Sequence, residues 1–118
     1  MQDFRKLLVW KKSHALVLEA YRVSRDFPRD ELFGLTSQMR RCAVSMPSNI
    51  AEGCGRGSDP DFARFLLMAM GSSSELEYQL LLSKDLGYLD TALHQNLETK
   101  VIEVKRMLAS LINKVKGK

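Results

Sequence analysis

The sequence predicts an all-α fold, an antiparallel up-down bundle of four helices, and three observations predict it. Proline and glycine divide the 118 residues into four long stretches. Within each stretch apolar residues return every three or four positions, the period of one helix face. No stretch alternates apolar and polar residues as a half-buried strand would.

The first helix is expected from Leu8 to Asp26. Trp10, His14, Val17 and Tyr21 form one stripe, with Val9, Leu16, Ala20 and Val23 beside it. Phe27-Pro28 ends it, because the residue before proline avoids the helical region. Thr36 is the expected N-cap of a second helix that reaches Gly53. Pro47 lies inside that helix and brings no amide hydrogen to the carbonyl of Ala43, so a kink is expected there. Gly53, Gly55 and Gly57 follow, and a left-handed glycine cap is the expected stop.

The third helix announces its start most clearly. Ser58 or Asp59 can cap it, Pro60 suits the first turn, and the acids complement the positive end of the helix dipole. It is expected to run to Leu86 and to stop at Gly87. Asp90 then caps a fourth helix to Val115, in which Leu93, Leu97, Val101, Val104, Leu108, Leu111 and Val115 keep near-heptad spacing. The turn Gly87 to Asp90 is short enough to require antiparallel neighbours. Helix three carries two apolar stripes, Phe62, Leu66, Ala69, Leu76 and Leu80, then Phe65, Met68, Leu82 and Leu86. One bundle face cannot bury both, so a second subunit is expected to cover the surplus.

A chain of this length fits one domain, residues 1–118. Its 45% apolar and 27% charged composition is that of a globular protein. No apolar run approaches the roughly 20 residues of a membrane span. The four-residue apolar patch in the opening segment is too short for a signal peptide, so a cytoplasmic location is expected. Cys42 and Cys54, on one helix, would stand roughly 18 Å apart. That exceeds the ~7 Å bridging limit, and both are expected to be reduced thiols.

The net charge of +4 is unevenly spread, from −5 over residues 59–99 to +5 over residues 100–118. Basic ends leave a surface for an anionic partner. The candidate phosphate contacts are Arg5, Lys6, Lys11, Lys12, Lys100, Lys105, Arg106, Lys114 and Lys116. Chemistry is harder to find. A di-iron bundle needs Glu-x-x-His pairs, and none of the glutamates has histidine three positions on. His14 is expected to be a partly buried ring rather than a ligand. Glu75 and Glu77 point ~200° apart on a helix, which argues against an acid–base pair and for ion pairs with Arg40, Arg41 or Arg56. The run Gly53-x-Gly55-x-Gly57 lacks the strand and the Gly-Lys-Ser/Thr of a phosphate loop. Cys54 has no histidine base in its segment, so a nucleophile is not expected. Gly71-Ser72-Ser73-Ser74 is expected to let another helix approach closely. Neither an enzyme, a cofactor nor a metal is expected. A helix-turn-helix over Leu35 to Gly53, with Ser48 and Asn49 reaching bases, is weighed as a lesser alternative.

The run Val44-Ser45-Met46-Pro47-Ser48-Asn49-Ile50-Ala51-Glu52-Gly53 resembles the signature of a bacterial family, with Gln38, Arg40 and Arg41 before it and Arg56 after. It is the 23S rRNA intervening-sequence protein family, also called four helix bundle protein. Val9-Trp10-Lys11-Lys12 is similar to its opening motif and Phe27-Pro28 to its first turn. Phe65-Leu66, Ala69, Gly71-Ser72, Glu75-Leu76-Glu77 and Leu86-Gly87-Tyr88 match its third helix, from which Ser73 and Tyr78 depart. The resemblance implies a four-helix bundle assembling as a ring-like homopentamer, in a family whose biochemical role is largely unknown. The accessory protein of diversity-generating retroelements is similar in fold, which implies RNA, DNA or ribonucleoprotein binding through a basic surface. A protein–protein adaptor without a nucleic-acid role is the alternative from a different class.

Overall fold

The four periodic stretches fold as four helices. A computed structural model describes residues 2–117; Met1 and Lys118, the ends of the expected domain, lie outside them. Helix α1 spans Leu8–Ser24, α2 Leu35–Gly55, α3 Asp59–Asp85 and α4 Thr91–Lys116, with single 3-10 turns at Phe4–Lys6 and Arg29–Glu31. No strand occurs among the described residues. Helix α1 packs on α2 and α4, and α3 packs on α2 and α4. The diagonal pairs approach less closely, as in a square bundle. Its 45 Å length matches α3, whose 27 residues at about 1.5 Å each span roughly 40 Å.

The apolar spacing places the core. Met39, Met46 and Ile50 of α2, Leu66, Leu76 and Leu80 of α3, and Leu97, Val101, Val104 and Leu108 of α4 are almost wholly buried. Two stripes, those of α1 and α4, sit differently from expectation. In α1 the core face is Val9, Leu16, Val17, Ala20 and Val23, while His14 and Tyr21 are exposed and Trp10 is half-buried. The expected partly buried His14 instead lies on the outside, stacked on Trp10 at 5.1 Å with 5° between the rings. In α4, Ile112 and His94 are buried in place of Leu111 and Leu93, which are half-buried. In α3 the first stripe is buried throughout, and of the second Phe65 is buried while Met68 and Leu86 stay exposed.

Small polar residues fill the remaining core positions. Ser13, Ser73 and Ser83 are fully buried, each donating its hydroxyl to the carbonyl four residues back at 2.8 Å. That bond satisfies a group whose burial would otherwise cost about 1–3 kcal/mol. Gln79 Oε1 and His94 Nε2 are buried without a partner among the described residues.

Helix ends follow their caps. Ser58 Oγ accepts from Asp61 N at 3.3 Å and Asp90 Oδ1 from Leu93 N at 2.7 Å, as expected. Gly87 at φ 82 ends α3 in a Schellman turn, its N–H donating to Lys84 O and that of Tyr88 to Ser83 O. Two ends differ. Gly34, not Thr36, precedes α2; Thr36 is buried, and Glu31 Oε1 accepts from the Leu35 N–H at 3.2 Å. Helix α2 closes at Gly55 with Arg56 extended and no left-handed glycine. Gly53 is there for space, since a Cβ on it would stand 3.0 Å from both Phe62 Cδ1 and Phe65 Cβ of α3.

Candidate functional site

The family-like run lies on α2, where it faces α3. Ser45 Oγ meets Ser72 Oγ at 2.9 Å, and Cys42 Sγ donates to Ser72 O at 3.0 Å. Asn49 Nδ2 donates back to Ser45 O at 2.8 Å and to Ser45 Oγ at 2.9 Å. The amide is thus spent inside its own helix, and Pro47 is buried in a helix that continues without interruption. This corrects the helix-turn-helix alternative, which requires two helices and a free Asn49. Ser72 gives α2 its close approach, as the small-residue run predicts, but Gly71 faces open space with nothing within 4 Å of a Cβ. Of the two departures from the family pattern, Ser73 is buried and Tyr78 is 58% exposed.

The ion pairs expected of Glu75 and Glu77 are not those observed. Glu77 Oε1 accepts from Lys105 Nζ at 2.8 Å, and Glu75 Oε2 from Gln79 Nε2 at 3.4 Å. Arg40 Nε donates to Ser24 Oγ at 2.8 Å, and Arg56 pairs with Glu52 at 3.6 Å. Arg41 and Gln38 are exposed. Helix rotation decides this: α3 turns Glu77 toward α4, away from the arginines of α2. Trp10 packs edge-on to Phe4 at 4.9 Å and fixes the opening turn on α1.

The nine candidate cations divide into paired and unpaired groups. Lys12 reaches Glu103 at 3.2 Å and Lys100 reaches Glu19 at 2.6 Å, both across the α1–α4 seam; Lys105 reaches Glu77. Arg5 pairs with Asp3 at 3.3 Å. Lys6, Lys11, Arg106, Lys114 and Lys116 have no carboxylate partner among the described residues. Arg106 and Lys114 share a groove of about 420 Å³ with Leu8, Met107 and Leu111. Lys116 borders a separate one of about 490 Å³, between the start of α3 and the end of α4. The structure therefore brings Arg106 and Lys114 together and spends three of the lysines on holding helices to each other.

Both cysteines are free and buried. Burial pushes the Cys42 thiol up to about 12, with the nearby Glu75 carboxylate adding to it. Burial also raises Cys54, helped by Asp3. Neither is poised as a thiolate. No group of three metal-ligating side chains converges among the described residues. None of the described helices is long and apolar enough to cross a membrane.

The family model for the 23S rRNA-intervening sequence protein matches residues 5–110. The chain belongs to this family. A protein of unknown function from the S23 ribosomal protein family of Bacteroides thetaiotaomicron VPI-5482, whose crystal structure was determined at 1.70 Å, is similar at 24% identity and a TM-score of 0.83. The match covers 89% of this chain and 98% of that one, and at this identity it speaks for the fold. No curated protein matches. Within this member of the 23S rRNA-intervening sequence protein family, the signature residues Ser45, Asn49 and Ser72 form a hydrogen-bonded node where α2 packs on α3.

Arg25 and Arg29 join Arg40 around a groove at the α1–α2 turn. Their signal in the sequence is the pair of arginines on either side of Phe27-Pro28, a run that also stops a helix.

Proposed function

We propose that this chain is a non-enzymatic, homo-oligomeric bundle protein of the cytoplasm that binds nucleic acid through a basic surface. The observation that carries the assembly is the outer face of α3. Leu67, Tyr78 and Leu81 remain 49%, 58% and 41% exposed. With Gly71 they fall within an arc of roughly 80° on the helix. The exposed Ser74 falls in the same arc, so the line is mainly apolar with small residues at its middle, and it suits the close approach of a helix from a second copy. A ring of five subunits is the assembly the family resemblance favours. Within each subunit we read the helices as alternating in direction, with α2 bent at Pro47.

Nucleic-acid binding draws its support from the unpaired Arg106, Lys114 and Lys116 near the end of α4, where repetition around a ring would multiply a modest charge. Phosphate contacts release counterions, so affinity for a short single-stranded RNA should fall steeply with salt, and Lys114→Ala with Lys116→Ala should flatten that fall. Affinity indifferent to salt would reject the reading. The adaptor alternative is favoured by the mainly apolar groove of Pro60, Ala63, Leu67 and Val115. A protein partner retained after nuclease treatment, with no nucleic acid, would select it.

A further inference from the structure

The turn between α1 and α2 holds a groove of about 330 Å³ that lies apart from the end of α4 in sequence and is built differently. Arg25, Arg29 and Arg40 line it over a floor that includes Phe27 and Leu32, and no carboxylate lines it. Arg25 and Arg29 pair with no acid among the described residues. Arg40 is fixed without being neutralised. Its Nε donates to Ser24 Oγ at 2.8 Å, its Nη2 to Tyr21 O at 3.4 Å, and its guanidinium lies 4.7 Å from the centroid of the Tyr21 ring. Three cations around one depression repel each other unless an anion sits among them, and the planar guanidinium fork matches phosphate oxygens.

One residue beyond Leu32, just outside the groove's lining, the chain carries an aromatic ring in water. Phe33, the residue after Leu32, is 93% exposed, whereas Phe27 of the same turn is buried at 6%. The turn needs no second apolar anchor, so packing does not account for Phe33. Nor is the turn loose. Glu31 pins it from both sides, Oε1 accepting Leu35 N–H at 3.2 Å and Oε2 accepting the Tyr88 hydroxyl at 2.9 Å. Asp26 and Asp30 lie on the same turn but do not line the groove.

We infer that this groove binds single-stranded nucleic acid, with phosphates against Arg25, Arg29 and Arg40 and a base stacked on Phe33. Guanidinium groups beside an exposed aromatic are the two parts such binding needs, since every base offers a π-face and every link a phosphate. A duplex hides its base faces, which is why the strand must be single. The inference rests on the nucleic-acid reading above and moves its centre from α4 to the α1–α2 turn.

The test is fluorescence anisotropy of a labelled short single-stranded RNA, and of the same RNA as a duplex, against salt. Phe33→Ala should weaken single-strand binding about 5- to 150-fold at fixed salt, the range for loss of one stacked base, while Phe33→Trp retains it. Arg25→Ala with Arg29→Ala should lower the slope of log affinity on log salt by roughly 1.4, about 0.7 for each phosphate released. All these side chains lie outside the core, and circular dichroism checks that the helices persist. If these variants bind like the native protein while Lys114→Ala with Lys116→Ala does not, the groove is refuted and the α4 reading stands. If the native protein binds neither RNA, both fall. A Phe33→Ala protein that binds RNA normally but sediments differently would assign the ring to a protein contact and overturn the stacking role.

Discussion

At the residue scale, two positions on α2 show how tightly it seats against α3. Cys42 donates to Ser72 O and is pushed up to about 12 from an ordinary 9.0, burial first and Glu75 second. The unfolded thiol ionises before the folded one. This contribution to stability is therefore intact below pH 9 and drains away as pH rises toward 12, with a slope of up to about 1.4 kcal/mol per pH unit. Cys42→Ser keeps a donor for Ser72 O and removes the titration, so urea midpoints of the two proteins should diverge above pH 9 and run parallel below it. Gly53→Ala sets two effects against each other. Alanine favours a helix by about 1 kcal/mol, but its methyl would press 3.0 Å from Phe62 Cδ1 and from Phe65 Cβ. A Cβ is anchored to its backbone and cannot yield, so the strain of roughly 1–3 kcal/mol should win. A lower urea midpoint is the expected outcome, and a higher one would mean the helices can part at no cost. None of this was legible in the sequence, where Gly53 reads equally well as a helix stop. Close approach depends on which way α3 turns Phe62 and Phe65.

At the element scale, the sequence was most legible where a boundary is local. Ser58 and Asp90 cap from one residue before their helices, and Gly87 adopts φ 82 at the close of α3, so all three could be read without a partner. Gly87→Ala must place a Cβ in the left-handed region, at a cost of roughly 1–2 kcal/mol. Its thermal midpoint should fall although nothing lies within 4 Å of the new methyl. An unchanged midpoint would show that the α3–α4 turn relaxes to another form. The start of α2 is hidden from a local reading for the opposite reason. Its first amide is satisfied by Glu31, four residues upstream, itself held by Tyr88 from beyond α3, an arrangement no local signature announces. The same holds for the ion pairs. Glu77 and Lys105 lie 28 positions apart, and only the rotation of α3 against α4 selects them over the arginines of α2.

At the scale of the whole molecule, the bundle satisfies its own core and still leaves apolar surface exposed, with the outer face of α3 contributing Leu67, Tyr78 and Leu81. Leu66, Leu76 and Leu80 are within 2% of full burial, so the outer leucines of α3 are not needed to hold the fold. That separation makes the proposed assembly testable apart from folding. Leu67→Lys places a charge on the 49% exposed face, where it costs a lone subunit little. If copies meet along this line, a charge buried at each contact should weaken association by several kcal/mol. Sedimentation at micromolar concentration should then show a species larger than a dimer for the native protein and a smaller one for the variant, with the same helical circular dichroism. Gly71→Ala sharpens the comparison. Its methyl meets nothing within the subunit and should stabilise a solitary bundle by about 0.5–1 kcal/mol, whereas a neighbour's helix packed over the glycine would be pushed away. Assembly that loosens while the subunit gains stability can arise only if another chain covers this face. Native protein that sediments as a monomer would leave the α3 stripe as mere exposed surface and remove the ring from the proposal.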